Sequence, residues 1–357
     1  MKKIPSPRWS HKKPRVVKTP AKSRGKGRGK GRGKSKGKAQ TKTVYRVKNW
    51  SAYNQALIDR GRITLWLSEE ALAAWRYEGP VQRGAQFYYS DLAIETSLTL
   101  GKLFHIALRQ TQGLVQSLLE LIQTDLEAPD YSTLSRRQGA LQIRLPVKAK
   151  GEGLHIVVDS TGLKIYGEGE WRTRQYGWSY RRTWRKLHLC IDVETGEIVA
   201  QTLTLAGVDD ASQVKPMLEQ INGRVDRVGG DGAYDGWSVL HTLAYPSSQT
   251  VSIEAVIPPQ RNARVRKAKR RYRHIEARNQ RVVDIERGGR TKWKQESGYH
   301  RRSLAETGVG RFKGLLGPAL RSRNVPNQQV EARIGCSILN RMTHLGKPES
   351  YRLEIPA

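Results

Sequence analysis

The sequence has little cysteine and no long apolar run, and these two absences exclude several classes of protein. Its 357 residues include two cysteines, Cys190 and Cys336, each within an apolar segment. Two isolated thiols exclude a disulfide framework and a zinc site built from cysteines. No segment approaches the roughly 18 consecutive apolar residues of a transmembrane helix, and the basic N-terminus lacks the apolar core of a secretory signal. We therefore expect a cytoplasmic protein with no membrane partner.

Acidic residues are also scarce, above all near the N-terminus. The chain has 64 Lys+Arg against 32 Asp+Glu, a formal net charge of +32, and its first 50 residues hold 19 of these cations and no acid. An excess of this size favours a polyanionic partner, DNA or RNA. Glycine alternates with Lys or Arg through most of residues 22–38, which leaves nothing to bury and predicts a disordered basic tail over 1–43. The tail either binds phosphate regardless of base sequence or is an extension of little consequence.

Residues 44–150 carry helical patterns. We predict helices at 68–76, 91–110, 113–126 and 132–141. The last of them follows a break at Pro129 and Asp130 and carries Arg136 and Arg137. Two helices, a tight break and a basic second helix indicate a helix-turn-helix-like, DNA-binding region that contacts DNA through these two arginines. An ordinary solvated helix bundle is the alternative.

Beyond residue 150 the pattern changes to strands that alternate with helices. The order β-β-β-α-β-α-β-α predicts an α/β fold, a mixed sheet flanked by helices, over residues 151–346. Residues 347–357 then form a C-terminal tail. The predicted strands are 154–159, 186–193, 197–205, 227–230 and 253–257, and the predicted helices are 211–221, 236–243, 303–316 and 328–344.

Two acids stand at corresponding places, because Asp159 and Asp231 each end a predicted strand. Ligands bind at the carboxyl ends of strands in α/β sheets, and small residues follow both acids. A third acid, Glu306, lies near the start of a predicted helix. Three carboxylates can hold two Mg²⁺ ions about 3.5–4 Å apart, the arrangement of metal-assisted phosphoryl transfer on DNA.

Glu306 belongs to a spaced group that also contains Tyr299, Arg302 and Lys313. Lys313 is seven positions beyond Glu306, so both lie on one face of a continuous helix. We expect Arg302 and Lys313 to bind DNA phosphate, and Tyr299 to hydrogen-bond to the DNA or stack on it.

Other acids have structural explanations. An acid taken alone is more often part of a turn or a cap than catalytic. Asp192 precedes a predicted hairpin turn, and Asp209 and Asp210 are placed to cap a helix. Asp235 has two interpretations: it caps the helix that follows it, or it contacts the residues that hold the metal ligands in place.

At these residues the sequence resembles the DDE transposases of bacterial insertion sequences, families four and five. The tyrosine–arginine–glutamate–lysine signature of that group and its two aspartate boxes match at Tyr299, Arg302, Glu306, Lys313, 159–162 and 231–235. Further similarity extends over roughly 45–346, and the basic tail lies outside it.

This resemblance implies a ribonuclease-H-like catalytic domain in which Asp159, Asp231 and Glu306 are the catalytic residues and bind two Mg²⁺ ions, for which Mn²⁺ substitutes. It also implies that the N-terminal region recognises the terminal inverted repeats of the element. We expect a DDE-type transposase that hydrolyses DNA at the ends of the element and joins the 3′-OH to target DNA. Joining two ends suggests a homodimer on DNA, in a bacterial cytoplasm and associated with the nucleoid.

Two more segments favour contact with DNA. Residues 260–294 hold 14 Lys or Arg against three acids, and a basic helix at 264–281 is predicted to contact phosphate. In 171–185, tryptophans alternate with arginines, and the rings either stack on unpaired bases or pack within a loop.

Two other classes of function remain alternatives. One is a DNA-binding regulator whose sheet domain is inactive, and the other is a nuclease of the same fold that cuts without joining. Inverted repeats that flank the gene inside a short direct duplication are expected only for a transposase.

Overall fold

The computed structural model describes residues 41–81, 83–84, 86–145, 153–165, 184–267 and 273–356. The basic repeat 22–38 and most of the tryptophan–arginine segment 171–185 lie outside the described residues. Within the described ranges, no helix combines the length and apolar character needed to cross a membrane.

The chain divides into two compact units. The smaller is built on a two-stranded sheet of β1 (Thr41–Val47) and β8 (Ser350–Pro356). These strands begin or lie within the segments predicted as tails, 1–43 and 347–357. The larger unit, Val47–Ser350, holds the other elements.

The N-terminal part of the larger unit is helical, as predicted. Its helices are α1 (Trp50–Asp59), α2 (Ile63–Trp66), α3 (Glu69–Ala73), α4 (Asp91–Leu103), α5 (Leu108–Leu121) and α6 (Tyr131–Gln138). The prediction of one helix over 91–110 is wrong, because the chain turns between α4 and α5. His105 takes a positive φ of 55° there, and the Gln110 side chain accepts from Ala107 N at 3.1 Å, which starts the next helix.

The link between α5 and α6 differs from the predicted tight break. It spans residues 122–130, which exceeds the three or four residues of a helix-turn-helix turn. A turn of that length, residues 104–107, joins α4 and α5 instead. α6 packs through the buried side chains of Leu134 and Gln138.

A six-stranded mixed sheet follows, in the order β4-β3-β2-β5-β6, with a short β7 beside the far end of β2. The strands are β2 (Leu154–Ile165), β3 (Trp184–Asp192), β4 (Ile198–Leu205), β5 (Val225–Gly229), β6 (Glu254–Val256) and β7 (Ala319–Leu320). The helices are α7 (Val214–Leu218), α8 (Trp237–Ala244), α9 (Arg273–Gly288), α10 (Arg290–Glu296), α11 (Ser303–Leu316) and α12 (Val325–Leu345).

β3 runs antiparallel to β2, and β4 runs antiparallel to β3 and forms the predicted hairpin with it, whereas β5 and β6 run parallel to β2. This mixed sheet with flanking helices confirms the predicted fold class and is consistent with a ribonuclease-H-like catalytic domain.

Successive residues of β2 pack on opposite faces of the sheet, as the pleat requires. Ile156 and Val158 belong to a hydrophobic cluster with α7 and α8. Val157 and Leu163 belong to a second cluster, which includes α11, α12 and the helices before residue 150. Apart from residues 44–46, both predicted domains, 44–150 and 151–346, lie within the larger unit, and the division between them stays a prediction.

Candidate active site

Asp159 lies inside β2, so the prediction that it ends a strand is wrong. β3 pairs with β2 from Ile156 to Lys164 and so extends the strand well past the aspartate. The polar sequence after Asp159 hides this continuation, because it lacks the apolar alternation that predicts a strand. The parallel neighbour β5, by contrast, pairs with β2 only as far as Val157.

Asp231 follows the end of β5, as predicted. Val157 pairs with Gly229, and Asp159 and Asp231 each lie two residues beyond that pair. The two aspartates therefore come to the same edge of the parallel ladder. Asp231 Oδ1 accepts from Ala233 N at 2.9 Å, which starts a 3-10 helix at Gly232–Tyr234.

Glu306 is in the first turn of α11, whose bounds match the prediction of 303–316. α11 packs on β2 and β3, and Gly308 makes the approach close, because a Cβ there would lie 2.2 Å from Ile191 Cδ1. Asp159 shares the alternation of Val157 and Leu163 along β2, so its side chain is on the α11 side of the sheet.

The three acids are close enough for their charges to interact. Burial raises the pKa of Asp159 above its ordinary value, and the nearby carboxylates of Asp231 and Glu306 raise it further. The backbone N–H of Ser160, which donates to Asp159 Oδ1 at 2.9 Å, and the guanidinium of Arg302 oppose this rise. A carboxyl whose pKa is raised by two other carboxylates is in a place that favours a cation.

The side chains of the three acids are not arranged around one common metal position. Among the described residues, no group of three or more His, Cys, Asp or Glu side chains is arranged to hold a metal ion. Glu306 Oε1 instead accepts from Arg302 Nη1 and Nη2, at 2.7 and 2.8 Å. The donors are nevertheless hard oxygens of the type that Mg²⁺ prefers, so the residue types fit the metal.

Tyr299 and Arg302 reach the acids from a 3-10 helix, Tyr299–Arg302, just before α11. Burial raises the pKa of Tyr299; Arg302 opposes this, and the carboxylates of Asp231 and Glu306 add to the rise. Lys313 is on the same helix as Glu306, seven residues further on, which is about 10 Å along the axis. The structure thus groups Tyr299 and Arg302 with the acids and places Lys313 further along α11.

The two arginines of α6 differ from each other. Arg137 Nη2 lies 2.5 Å from Asp91 Oδ1, its Nη1 donates to Tyr89 O, and its guanidinium stacks 4.1 Å from the ring centroid of Phe87. Arg137 is therefore engaged in holding the segment before α4. Arg136 is exposed and donates to Thr133 Oγ1, which leaves it the better candidate for a contact with DNA.

Asp235 has a partner that the sequence does not indicate. The basic helix predicted at 264–281 overlaps α9, Arg273–Gly288, whose Arg278 forms a buried ion pair with Asp235. Residues 264–267 are not helical, and 268–272 lie outside the described residues. The charged residue at the end of the box 231–235 is the only signal in the sequence, and it does not identify an arginine 43 positions away.

Comparisons with known families show which family the chain belongs to. Two family models described as transposase DDE domain match the chain, one over residues 58–168 and one over residues 150–341. The second match covers more than half of the 357 residues. The chain therefore belongs to the DDE transposase family, and it is a DDE-type transposase, an enzyme of metal-dependent phosphoryl transfer on DNA. This confirms the resemblance to insertion-sequence DDE transposases; the subgroup stays a prediction.

Among solved structures, the chain is similar to the piggyBac transposase in a cryo-EM synaptic complex with hairpin DNA. The identity is 11%, the TM-score is 0.36, and the match covers 82% of this chain and 77% of that one. The assignment to the DDE transposase family rests on the family match.

Proposed function

We propose that Asp159, Asp231 and Glu306 hold two Mg²⁺ ions, or Mn²⁺ in their place, and that the enzyme uses them to move an insertion sequence. It binds the terminal inverted repeats, hydrolyses a phosphodiester at each end of the element and joins the 3′-OH ends to target DNA. The observation that carries this proposal is the equal offset of Asp159 and Asp231 from the pair Val157–Gly229, at an edge that α11 covers with Glu306.

Backbone hydrogen bonds support the proposed roles of two of the three acids. Hydrogen bonds from the N–H groups of Ser160 and Ala233 orient the carboxylates of Asp159 and Asp231. A bound divalent ion lowers the pKa of a water or a 3′-hydroxyl and stabilises the leaving oxygen. Glu306 completes the set when Arg302 exchanges its carboxylate for a DNA phosphate, which a guanidinium binds with two parallel hydrogen bonds.

The DNA surfaces are also part of the proposal. Tyr299 and Lys313 contact the DNA end on either side of Glu306, and Arg136 contacts the duplex from α6. Because two ends must be held together for joining, the DNA-bound enzyme is a homodimer, which acts at the bacterial nucleoid.

The test is a cleavage and joining assay with the full chain, Mg²⁺ and a duplex that ends in the inverted repeat flanking the gene. We expect a nick at the terminus and a product joined to target DNA. Asp159→Asn and Glu306→Gln should abolish both products while DNA binding stays within about twofold of wild type. Wild-type cleavage by either variant would contradict the proposed ligand set. A nick without any joined product would instead favour the nuclease.

A further inference from the structure

Asp235, four residues after Asp231 in the chain, forms a buried ion pair with Arg278. Their side chains are 0% and 4% exposed. Arg278 Nε lies 3.0 Å from Asp235 Oδ1, and Arg278 Nη2 lies 3.0 Å from Asp235 Oδ2, so the contact is bidentate. Asp235 Oδ2 also accepts from Gln260 N at 3.2 Å.

Asp235 closes the short segment that Asp231 opens, and we call residues 231–235 the Asp231 turn. Within it, Tyr234 N donates to Asp231 O at 3.1 Å, and Asp235 N donates to Gly232 O at 3.3 Å. Tyr234 is buried and packs closely on Gly230, where a Cβ would lie 3.0 Å from the Tyr234 ring. The Asp231 turn thus begins just after β5 and ends at the residue that pairs with Arg278.

Arg278, the other member of the pair, is also held by hydrogen bonds in its surroundings. Arg278 Nη1 donates to Arg264 O at 3.2 Å, and Arg290 Nη2 from α10 donates to Pro259 O at 2.8 Å. α9 and α10 are thereby tied to the chain that follows β6. Through Arg278, the end of the Asp231 turn is therefore connected to α9 and to the chain that follows β6.

A stabilising role alone is a weak explanation for this pair. Asp235 does not cap the next helix, because α8 has Gly236 as its N-cap residue and no side-chain cap. Burying two charges is costly, and a well-packed apolar pair is often as stable or more stable. A bidentate pair does provide direction, because it fixes both the position and the plane of the carboxylate.

We propose that the Asp235–Arg278 ion pair positions Asp231, and that both of its members are positioning residues for the metal site. This inference rests on the proposed role of Asp231 as a metal ligand. The pair acts through the backbone of the Asp231 turn, so it alters where the Asp231 carboxylate points rather than touching the metal. Loss of partners that orient metal ligands typically lowers metal affinity about 10- to 100-fold.

The experiment titrates Mn²⁺ alone into the full-length protein and follows free Mn²⁺ by electron paramagnetic resonance. The variants are Asp235→Asn, which keeps the side-chain size and removes the charge, and Arg278→Lys, which keeps the charge and removes the bidentate geometry. Asp231→Asn reports the site itself. Glu331→Gln is the matched control, because Glu331 forms a comparably buried ion pair with Lys102 elsewhere in the fold. Thermal unfolding of every variant is measured alongside.

We expect Asp235→Asn to weaken Mn²⁺ binding about 10- to 100-fold and Arg278→Lys to weaken it in the same direction. Glu331→Gln is expected to lower the melting temperature without changing Mn²⁺ affinity. If Asp235→Asn does not fold, Arg278→Lys decides by the same criterion.

Two results would overturn the inference, and they are distinguishable. Mn²⁺ binding that depends on Asp231 but keeps wild-type affinity in the folded pair variants would remove the positioning role alone. Absence of any Asp231-dependent Mn²⁺ binding in the wild type would overturn the proposed metal site, and the positioning role with it.

Discussion

Arg302 donates from both terminal nitrogens to one oxygen of Glu306. The residues are four apart at the start of α11, a spacing that places two side chains together on a helix. Glu306 is 59% exposed and Arg302 is 18% exposed, so solvent screens the pair, and such pairs contribute about 0–1 kcal/mol. A divalent cation can therefore compete for Glu306, and a DNA phosphate can compete for Arg302.

Replacing Arg302 should separate the effect of its pairing with Glu306 from the effect of its contact with DNA phosphate. In Arg302→Gln, Glu306 no longer has its cationic partner, so we expect Mn²⁺ affinity of the free protein to rise by about two- to fivefold, the equivalent of the small energy of an exposed pair. DNA-end cleavage should fall, because the phosphate contact is lost. Calorimetric Mn²⁺ titration and the cleavage assay measure the two effects. Arg301→Gln, which breaks the exposed pair with Glu194, is the control. Equal Mn²⁺ affinity in wild type and Arg302→Gln would mean that Arg302 does not compete with Mn²⁺ for Glu306.

The close approach of α11 to β3 should matter for both stability and activity. A Cβ at Gly308 would lie 2.2 Å from Ile191 Cδ1, and overpacking of this kind costs about 1–3 kcal/mol. We expect Gly308→Ala to lower the melting temperature and, because it displaces the turn that carries Glu306, to reduce cleavage. Gly310→Ala is the matched control, since a Cβ there meets nothing within 4 Å, and alanine favours a helix by up to about 1 kcal/mol. Unchanged stability and activity in Gly308→Ala would show that the end of the Ile191 side chain moves aside and that α11 keeps its position.

The buried pair of Lys102 and Glu331 should be a major stabilising contact of the helical part. The two side chains are each 7% exposed and lie 2.8 Å apart, and Glu331 also accepts from the N–H groups of Arg321 and Ser322. Removing one partner leaves the other charge buried and unpaired, which costs about 3–5 kcal/mol. We therefore expect Glu331→Ala to lower the free energy of unfolding in urea by that amount.

Its control is Glu219→Ala, because Glu219 pairs with Lys215 on the surface and should contribute less than about 1 kcal/mol. A similar loss in both variants would contradict the importance of the buried pair.

His188 should make the fold sensitive to acid. Burial, opposed by Asp210 and assisted by Lys186, lowers its pKa from 6.5 to about 4. Between these two values the unfolded chain takes up a proton that the folded chain excludes, so stability should fall as the pH drops from 6.5 toward 4. The loss is on the order of 3 kcal/mol at most.

Urea unfolding at pH 7 and pH 5 measures this slope. His188→Gln, which can still reach the Thr204 hydroxyl that lies 2.9 Å from Nε2, should flatten it. The exposed His105 provides the control His105→Asn, which should leave the slope in place. A wild-type slope in His188→Gln would assign the acid sensitivity to other groups.

Several elements could be predicted because local signals decide them. The apolar spacing and acidic first turn of α11 give its bounds without any knowledge of its neighbours. The turn at Gly196 and the alternation on either side of it define the β3–β4 hairpin in the same way. The helix predicted over 91–110 failed for the opposite reason, because a turn at His105 leaves no Gly or Pro in the sequence to mark it.

The sequence by itself determined which residues are available for chemistry: three acids, a tyrosine, an arginine and a lysine at fixed spacing, on elements of recognisable type. Only the tertiary structure decided how they meet. The register of β2 against β5 brings Asp159 level with Asp231. The contact of Gly308 with Ile191 places the first turn of α11, which carries Glu306, on the same side of the sheet as Asp159. Arg278 reaches Asp235 across 43 residues. Strand register, helix seating and long-range ion pairs depend on which surfaces exclude water together, and local patterns of residues do not encode that choice.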